Sequence, residues 1–221
     1  METASFSLLE LFKLGGVVMW PLLLFSIAAV AITIERSVFF LQHNLDVDDL
    51  SLAVSDYIEK NDFSGAAEYL EPLAEKRMGA RVILALVNNK KDQVFSEHRA
   101  ERTVQIEAVK CINSLESGFN FLTALGSLSP LTGFLGTVTG MIGAFRSIAE
   151  ATEVNAQIVA NGIYEALITT VFGLVIAIIA MISHSVFSHF VEKFASKIEN
   201  DCSNLISQIA ENSSLKTGDK K

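Results

Sequence analysis

Thr137, Thr139, Thr169 and Thr170 place hydroxyls inside two stretches that carry no charge, and Glu165 sets a carboxylate just ahead of the second. Hydroxyl and carboxylate oxygens along an apolar path can replace part of a cation's hydration or relay a proton. Enzymatic chemistry has nothing to stand on: no nucleophile–base pairing, phosphate loop, basic nucleic-acid stripe or metal spacing occurs. No cofactor, metal or nucleic acid is therefore expected. His184 and His189 are separated by about 140° around a helix of 3.6 residues per turn and do not share a ligand face. Cys111 and Cys202 lack the spacing of a metal or redox pair and read as inert thiols.

The elements that position these oxygens are apolar blocks. Residues 117–145 read SGFNFLTALGSLSPLTGFLGTVTGMIGAF, residues 166–191 follow Glu165, and 15–34 read GGVVMWPLLLFSIAAVAITI. A hydrocarbon core of ~30 Å takes about 20 helical residues, so each block is long enough to span. A hydrophobic content of 50% with a mean hydropathy of +0.40 is too apolar for an ordinary soluble domain of 221 residues. The expected fold is an all-α membrane protein with three transmembrane helices. The second and third extend far into the cytoplasm, a shape that favours assembly as a ring.

The expected organisation is an amphipathic N-terminal helix at 1–14, a first span at 15–41, a helical region at 42–116 and a second span at 117–147. A turn at 148–161, a third span at 162–191 and a helix with a disordered tail at 192–221 complete it. Lys60, Lys76, Arg77, Arg81, Lys90, Lys91, Arg99, Arg102 and Lys110 concentrate in the long connection, and the tail after Val191 holds five more lysines. That bias places both on the cytoplasmic side, with the N-terminus and short turn outside. A cleaved signal ending near Ala29-Val30-Ala31 is the lesser reading, because Glu2 and Glu10 oppose Lys13 in the n-region. Within the connection, Asp46 or Asp48 caps a helix through Ile58, and Asp62 or Ser64 one through Leu70. A third runs from about Arg77 to Asn88, and one unbroken helix is expected from about Gln93 to Ser147.

Along the second span Gly126, Pro130, Gly133, Thr137, Gly140, Ala144 and Ser147 recur at intervals of three or four, forming one stripe of mostly small residues. Ala166, Thr170, Gly173, Ala177 and Ala180 do the same along the third. Such stripes let helices approach closely. Each threonine has two readings: packing, with its hydroxyl on its own helix carbonyl, or a wettable seam shared by two spans. Glu165 likewise reads as a boundary residue near a helix N-terminus or as an intramembrane acid.

Three segments carry a resemblance to a known family: GGVVMWPLLLFSIAAVAITIERS, SPLTGFLGTVTGMIGAF and GIYEALITTVFGLVIAIIAMISHSVF. They resemble the three spans of the MotA/TolQ/ExbB proton-channel proteins, closest to ExbB. The likeness covers every span and the loop plan, while the cytoplasmic connection is only weakly alike. It implies a multi-pass protein of the bacterial inner membrane, a homopentamer enclosing an ExbD-like single-span partner and coupled to a TonB-like protein. Ion flow would then drive TonB-dependent transport at the outer membrane. It also implies that the proton-carrying aspartate belongs to the partner, while this chain supplies Thr137, Thr170 and Glu165.

Thr139, where the family usually has an aromatic residue, and Thr169, where it has a small apolar one, depart from the pattern. They resemble sodium-using members, so Na⁺ coupling is a second expectation. A TolQ-like, gliding or flagellar stator with another load is the nearest alternative, and a non-conducting membrane scaffold is the alternative of another kind.

Overall fold

Gly16 and Gly118 adopt φ of 67° and 87°, and each lies in a turn just ahead of a long apolar helix. L side chains rarely take that conformation, so glycine sets where these helices begin. The computed structural model describes residues 8–92, 96–150 and 156–218. Among them the regular elements are all helices: α1 (Leu8–Leu14), α2 (Met19–Gln42), α3 (Asp48–Glu59), α4 (Phe63–Leu70), α5 (Met78–Asp92), α6 (Glu97–Leu115), α7 (Phe119–Glu150) and α8 (Ala156–Gly218). Three of them, within Met19–Gln42, Phe119–Glu150 and Ala160–Ser213, are long and apolar enough to cross a membrane. The protein is an all-α membrane protein with three such helices, the later two long.

Two sequence expectations need correction. The unbroken helix from about 93 to 147 is interrupted: α6 stops at Leu115, and a turn at 116–118 precedes α7. Gly118 is the breaker that helical periodicity alone does not reveal, and a Cβ there would stand 3.3 Å from Ile32 Cγ2. The tail expected to be disordered after Glu211 continues as helix to Gly218. Residues 1–7 of the N-terminal helix and 151–155 of the short turn lie outside the described residues.

Contacts divide the chain into two units, Met1–Glu35 with Gly118–Val186, and Arg36–Ser117 with Phe187–Lys221. The second unit is packed like a soluble helical domain. Leu50, Val54 and Ile58, one turn apart on α3, are fully buried, as are Ala66 and Leu70 of α4 and Ile83 and Leu86 of α5. Asp62 caps α4, accepting from the Gly65 amide at 2.9 Å. The α3 cap differs from the expected one, since Val47 occupies that position and Asp46 accepts instead from the Asp48 amide at 3.3 Å.

Polar contacts fix this unit's edges. Arg77 forks onto both carboxylate oxygens of Asp49 and onto the Asp46 carbonyl, while Lys197 of α8 donates to Asp46 and Asp48. Arg36 is buried, donates to the Ser114 carbonyl oxygen at 3.2 Å and lies 4.7 Å from the Phe39 ring centre. A cation there satisfies a carbonyl in the last turn of α6 and opposes the negative end of its dipole.

The first unit is built for a different solvent. Leu131, Phe134, Ile142 and Phe145 of α7 and Leu167, Val171 and Ile178 of α8 are more than half exposed. Continuous apolar exposure on that scale needs lipid or protein against it. Its interior is narrow and lined by small residues. Pro21 is the third residue of α2, where no helical N–H is required. Pro130 lies inside α7, and removes an N–H that would have served the Gly126 carbonyl.

Candidate functional site

Within the first unit, α7 and α8 meet nearly backbone to backbone. A Cβ on Gly133 would stand 2.7 Å from the Thr169 carbonyl oxygen and 3.0 Å from the Thr170 Cα. One on Gly173 would stand 2.5 Å from the Ser129 carbonyl oxygen, and one on Gly140 would stand 3.1 Å from the Ala166 Cβ. Gly162 approaches Ala144 in the same way, at 2.5 Å from its Cβ. The pairings step up one helix and down the other, so the two small-residue stripes form one antiparallel seam.

Hydroxyls lie on this seam in three environments. Thr170 is half-buried, and its Oγ1 donates across the seam to the Gly133 carbonyl oxygen at 3.2 Å. Thr169 is 1% exposed, packs against Gly136 and donates to the Ala166 carbonyl at 2.8 Å, with the Gly133 oxygen 3.2 Å away. Thr137 is half-buried and donates to its own helix at Phe134, 2.6 Å. Thr139 is exposed and back-bonds to Leu135 at 2.9 Å and Gly136 at 3.1 Å. Thr170 therefore bonds across the two helices, whereas Thr137 and Thr139 bond within their own.

Each hydroxyl has one proton, already directed at a carbonyl. The Oγ lone pairs remain as acceptors, so the seam offers neutral oxygen ligands to a cation or a proton donor. It offers no acid at its centre, because 117–145 and 166–191 contain neither Asp nor Glu. Glu165 is half-buried, with its carboxylate against Gly16 in the turn between α1 and α2.

Of the packing residues read from the sequence, Gly126, Gly133, Gly140, Ala144 and Gly173 make the close approaches. Ala177 is buried, Pro130 is half-buried and Ser147 is exposed. Gly126 meets a side chain rather than backbone, Met181 Cγ at 2.8 Å. Three contributors were missed: Gly136, Gly162 and Ser129. The Gly133–Gly136–Gly140 spacing was the available signal for the first. Ser129 is fully buried, and its hydroxyl has no hydrogen-bond partner among the described residues.

Thr33 of α2 joins the polar interior, donating to Ala29 at 2.7 Å with Ser183 Oγ of α8 at 3.1 Å. His184 meets the Phe119 ring edge-on, 5.6 Å between centres, and no His, Cys, Asp or Glu cluster that could hold a metal occurs among the described residues.

Known proteins share this arrangement of sequence. The chain is 35% identical over 188 residues to the ExbB-like 3 biopolymer transport protein of Synechocystis sp., covering 82% of this chain and 85% of that one. It is 30% identical over 199 residues to the biopolymer transport protein exbB1 of Vibrio cholerae, covering 88% and 85%. A shorter likeness, 39% over 87 residues, links it to the Tol-Pal system protein TolQ of Pseudomonas aeruginosa, covering 39% of this chain and 38% of that one. Residues 74–200, which include the whole α7–α8 seam, match the description of a family of membrane channel subunits, and the chain belongs to it: the MotA/TolQ/ExbB proton channel family.

Proposed function

We propose that this chain is the ExbB-like ring subunit of an ion-driven energy transducer in a bacterial inner membrane. Five copies enclose an ExbD-like single-span partner, and the flow of ions powers a TonB-like protein that works on outer-membrane transport. The observation that carries the reading is the α7–α8 seam. Thr170 and Thr137 remain half-buried beside it, while the apolar runs of both helices lack an acid. A polar path with acceptors and no carboxyl group at its centre is completed by a carboxyl group from another chain.

Self-association is supported by surface that one copy leaves uncovered. In the second unit a groove of about 440 Å³ between α6 and α8 is lined by Val104, Ala108, Ile112, Ile198 and Ile206. A neighbouring copy covers such a surface in a ring. The Lys and Arg distribution supports a periplasmic N-terminus and a cytoplasmic C-terminus. In this reading Thr137, Thr170 and Glu165 face the ion path. Thr169 contributes less, since it is 1% exposed and closed off by Gly136.

The test is Thr170→Ala and Glu165→Gln in cells co-expressing the single-span partner. Both variants assemble normally, and ion-driven uptake falls by an order of magnitude or more. Unchanged uptake in both means a scaffold. Repeating the uptake with and without a sodium gradient at fixed voltage identifies the ion. The likeness to TolQ keeps a second load in view. Complementation of envelope integrity, with no effect on uptake, assigns that load instead.

A further inference from the structure

Two glycines in the turn between α1 and α2 rest on two residues one helical turn apart on α8. A Cβ on Gly15 would stand 3.3 Å from Ile168 Cγ2 and would also strike Met19, while one on Gly16 would overlap the Glu165 carboxylate. The two contacts are independent and point to the same strip of α8. Gly16 is locked to glycine twice over: its φ is 67°, and the space a side chain would occupy is filled by Glu165 Oε1. Beneath the turn, Met19 is 1% and Ile168 8% exposed. The carboxylate thus lies against the chain shortly before α2 begins, on the side of the helix where the dipole favours an anion.

We infer that Glu165 is a positioning residue whose carboxylate seats on Gly16, and that this contact holds the α1–α2 turn closed over Met19 and Ile168. The seat works in both directions. It fixes the first helix of the bundle against α8, and it fixes the Glu165 oxygens at one end of the α7–α8 seam. Any side chain at Gly16 pushes the carboxylate away, so the glycine is a specificity element for where this acid points. The inference holds whichever load or ion the assembly serves.

The experiment reads the seat without reading transport. In the full-length protein in native membranes, the Met19→Cys thiol is predicted to resist maleimide. Labelling accelerates at least tenfold in Glu165→Ala and in Gly16→Ala, and by less than the product when the two are combined, because they share one contact and only the backbone strain at position 16 is separate. Glu165→Gln keeps the length and shape of the side chain in the seat and is predicted to label more slowly than Glu165→Ala.

Protection that survives Glu165→Ala, tenfold effects that multiply in the combined variant, or Glu165→Gln labelling as fast as Glu165→Ala would each overturn the proposal. A protected Met19→Cys thiol alongside wild-type uptake in Thr170→Ala and Glu165→Gln would instead sink the ion-path reading and leave the seat standing.

Discussion

The Thr170 hydroxyl crosses from α8 to the Gly133 carbonyl oxygen of α7 at 3.2 Å, where the two backbones approach closely. The bond joins the functional and the structural features of the seam at one residue. Interhelical hydrogen bonds in membranes average only ~0.6 kcal/mol, so its loss alone does not dismantle the pair. Thr170→Val is therefore expected to assemble like wild type in native gels yet lose ion-driven uptake by at least tenfold. Thr170→Ser keeps the oxygen and retains most activity. Loss of assembly in Thr170→Val would show that the hydroxyl is mainly structural.

Gly133 and Gly143 make opposite predictions from the same substitution. A Cβ at Gly133 meets Thr169 and Thr170 backbone, which cannot rotate away, whereas one at Gly143 meets nothing within 4 Å. Gly133→Ala must force α7 and α8 apart and should cost several-fold in assembled protein. Gly143→Ala gains helix propensity of about 0.5–1 kcal/mol and should leave assembly and melting temperature unchanged or slightly raised. Quantitative blotting of the assembled species distinguishes the two, and equal yields would argue against a tight seam.

Much of this architecture was readable from residue order, and the misses have physical causes. Span length and hydropathy identify the three apolar helices because lipid imposes one length scale on all of them. The seam is readable because close approach demands small side chains every third or fourth residue. Gly118 was overlooked since one glycine amid helical periodicity reads as tolerated, and only its φ of 87° reveals the break. Spacing likewise cannot tell Thr169 from Thr170: adjacent residues point about 100° apart, and which one faces the partner depends on the crossing of the helices. The meeting of Glu165 with Gly16 joins positions far apart in sequence and had no local signal at all.

Acid should loosen the second unit. The Asp46 carboxyl is held below its ordinary 3.8, chiefly by the Asp48 amide and then by Lys197, and the Arg77 hydrogen bonds lower Asp49 in the same way. A carboxyl whose folded pKa lies below its unfolded value contributes stability above the unfolded value and loses it as pH falls through the folded one. The contribution is complete at neutral pH and fades below 3.8. These carboxylates are exposed, so added salt should weaken the effect. Thermal melts in detergent between pH 7 and pH 3 should fall less steeply for Asp49→Asn than for wild type. Parallel curves would mean that the pairs carry no net stability.

Both native thiols should be silent until the fold opens. Cys111 and Cys202 are 1% exposed, and burial raises the Cys111 thiol and pushes Cys202 up to about 12. Thiolate is the reactive form, so at pH 7 Cys202 has on the order of one thiolate per 10⁵ molecules, besides being shielded by its neighbours. Cys202 borders the α6–α8 groove, next to the exposed Ser203, so shielding and pKa make separable predictions. Raising the pH from 7 to 9 in native protein should leave labelling slow, whereas denaturing detergent should expose both thiols within minutes. Rapid labelling of Cys202 at pH 7 would mean that α8 breathes away from α6 at the groove, and that the surface assigned to a neighbouring copy is already open in the folded chain.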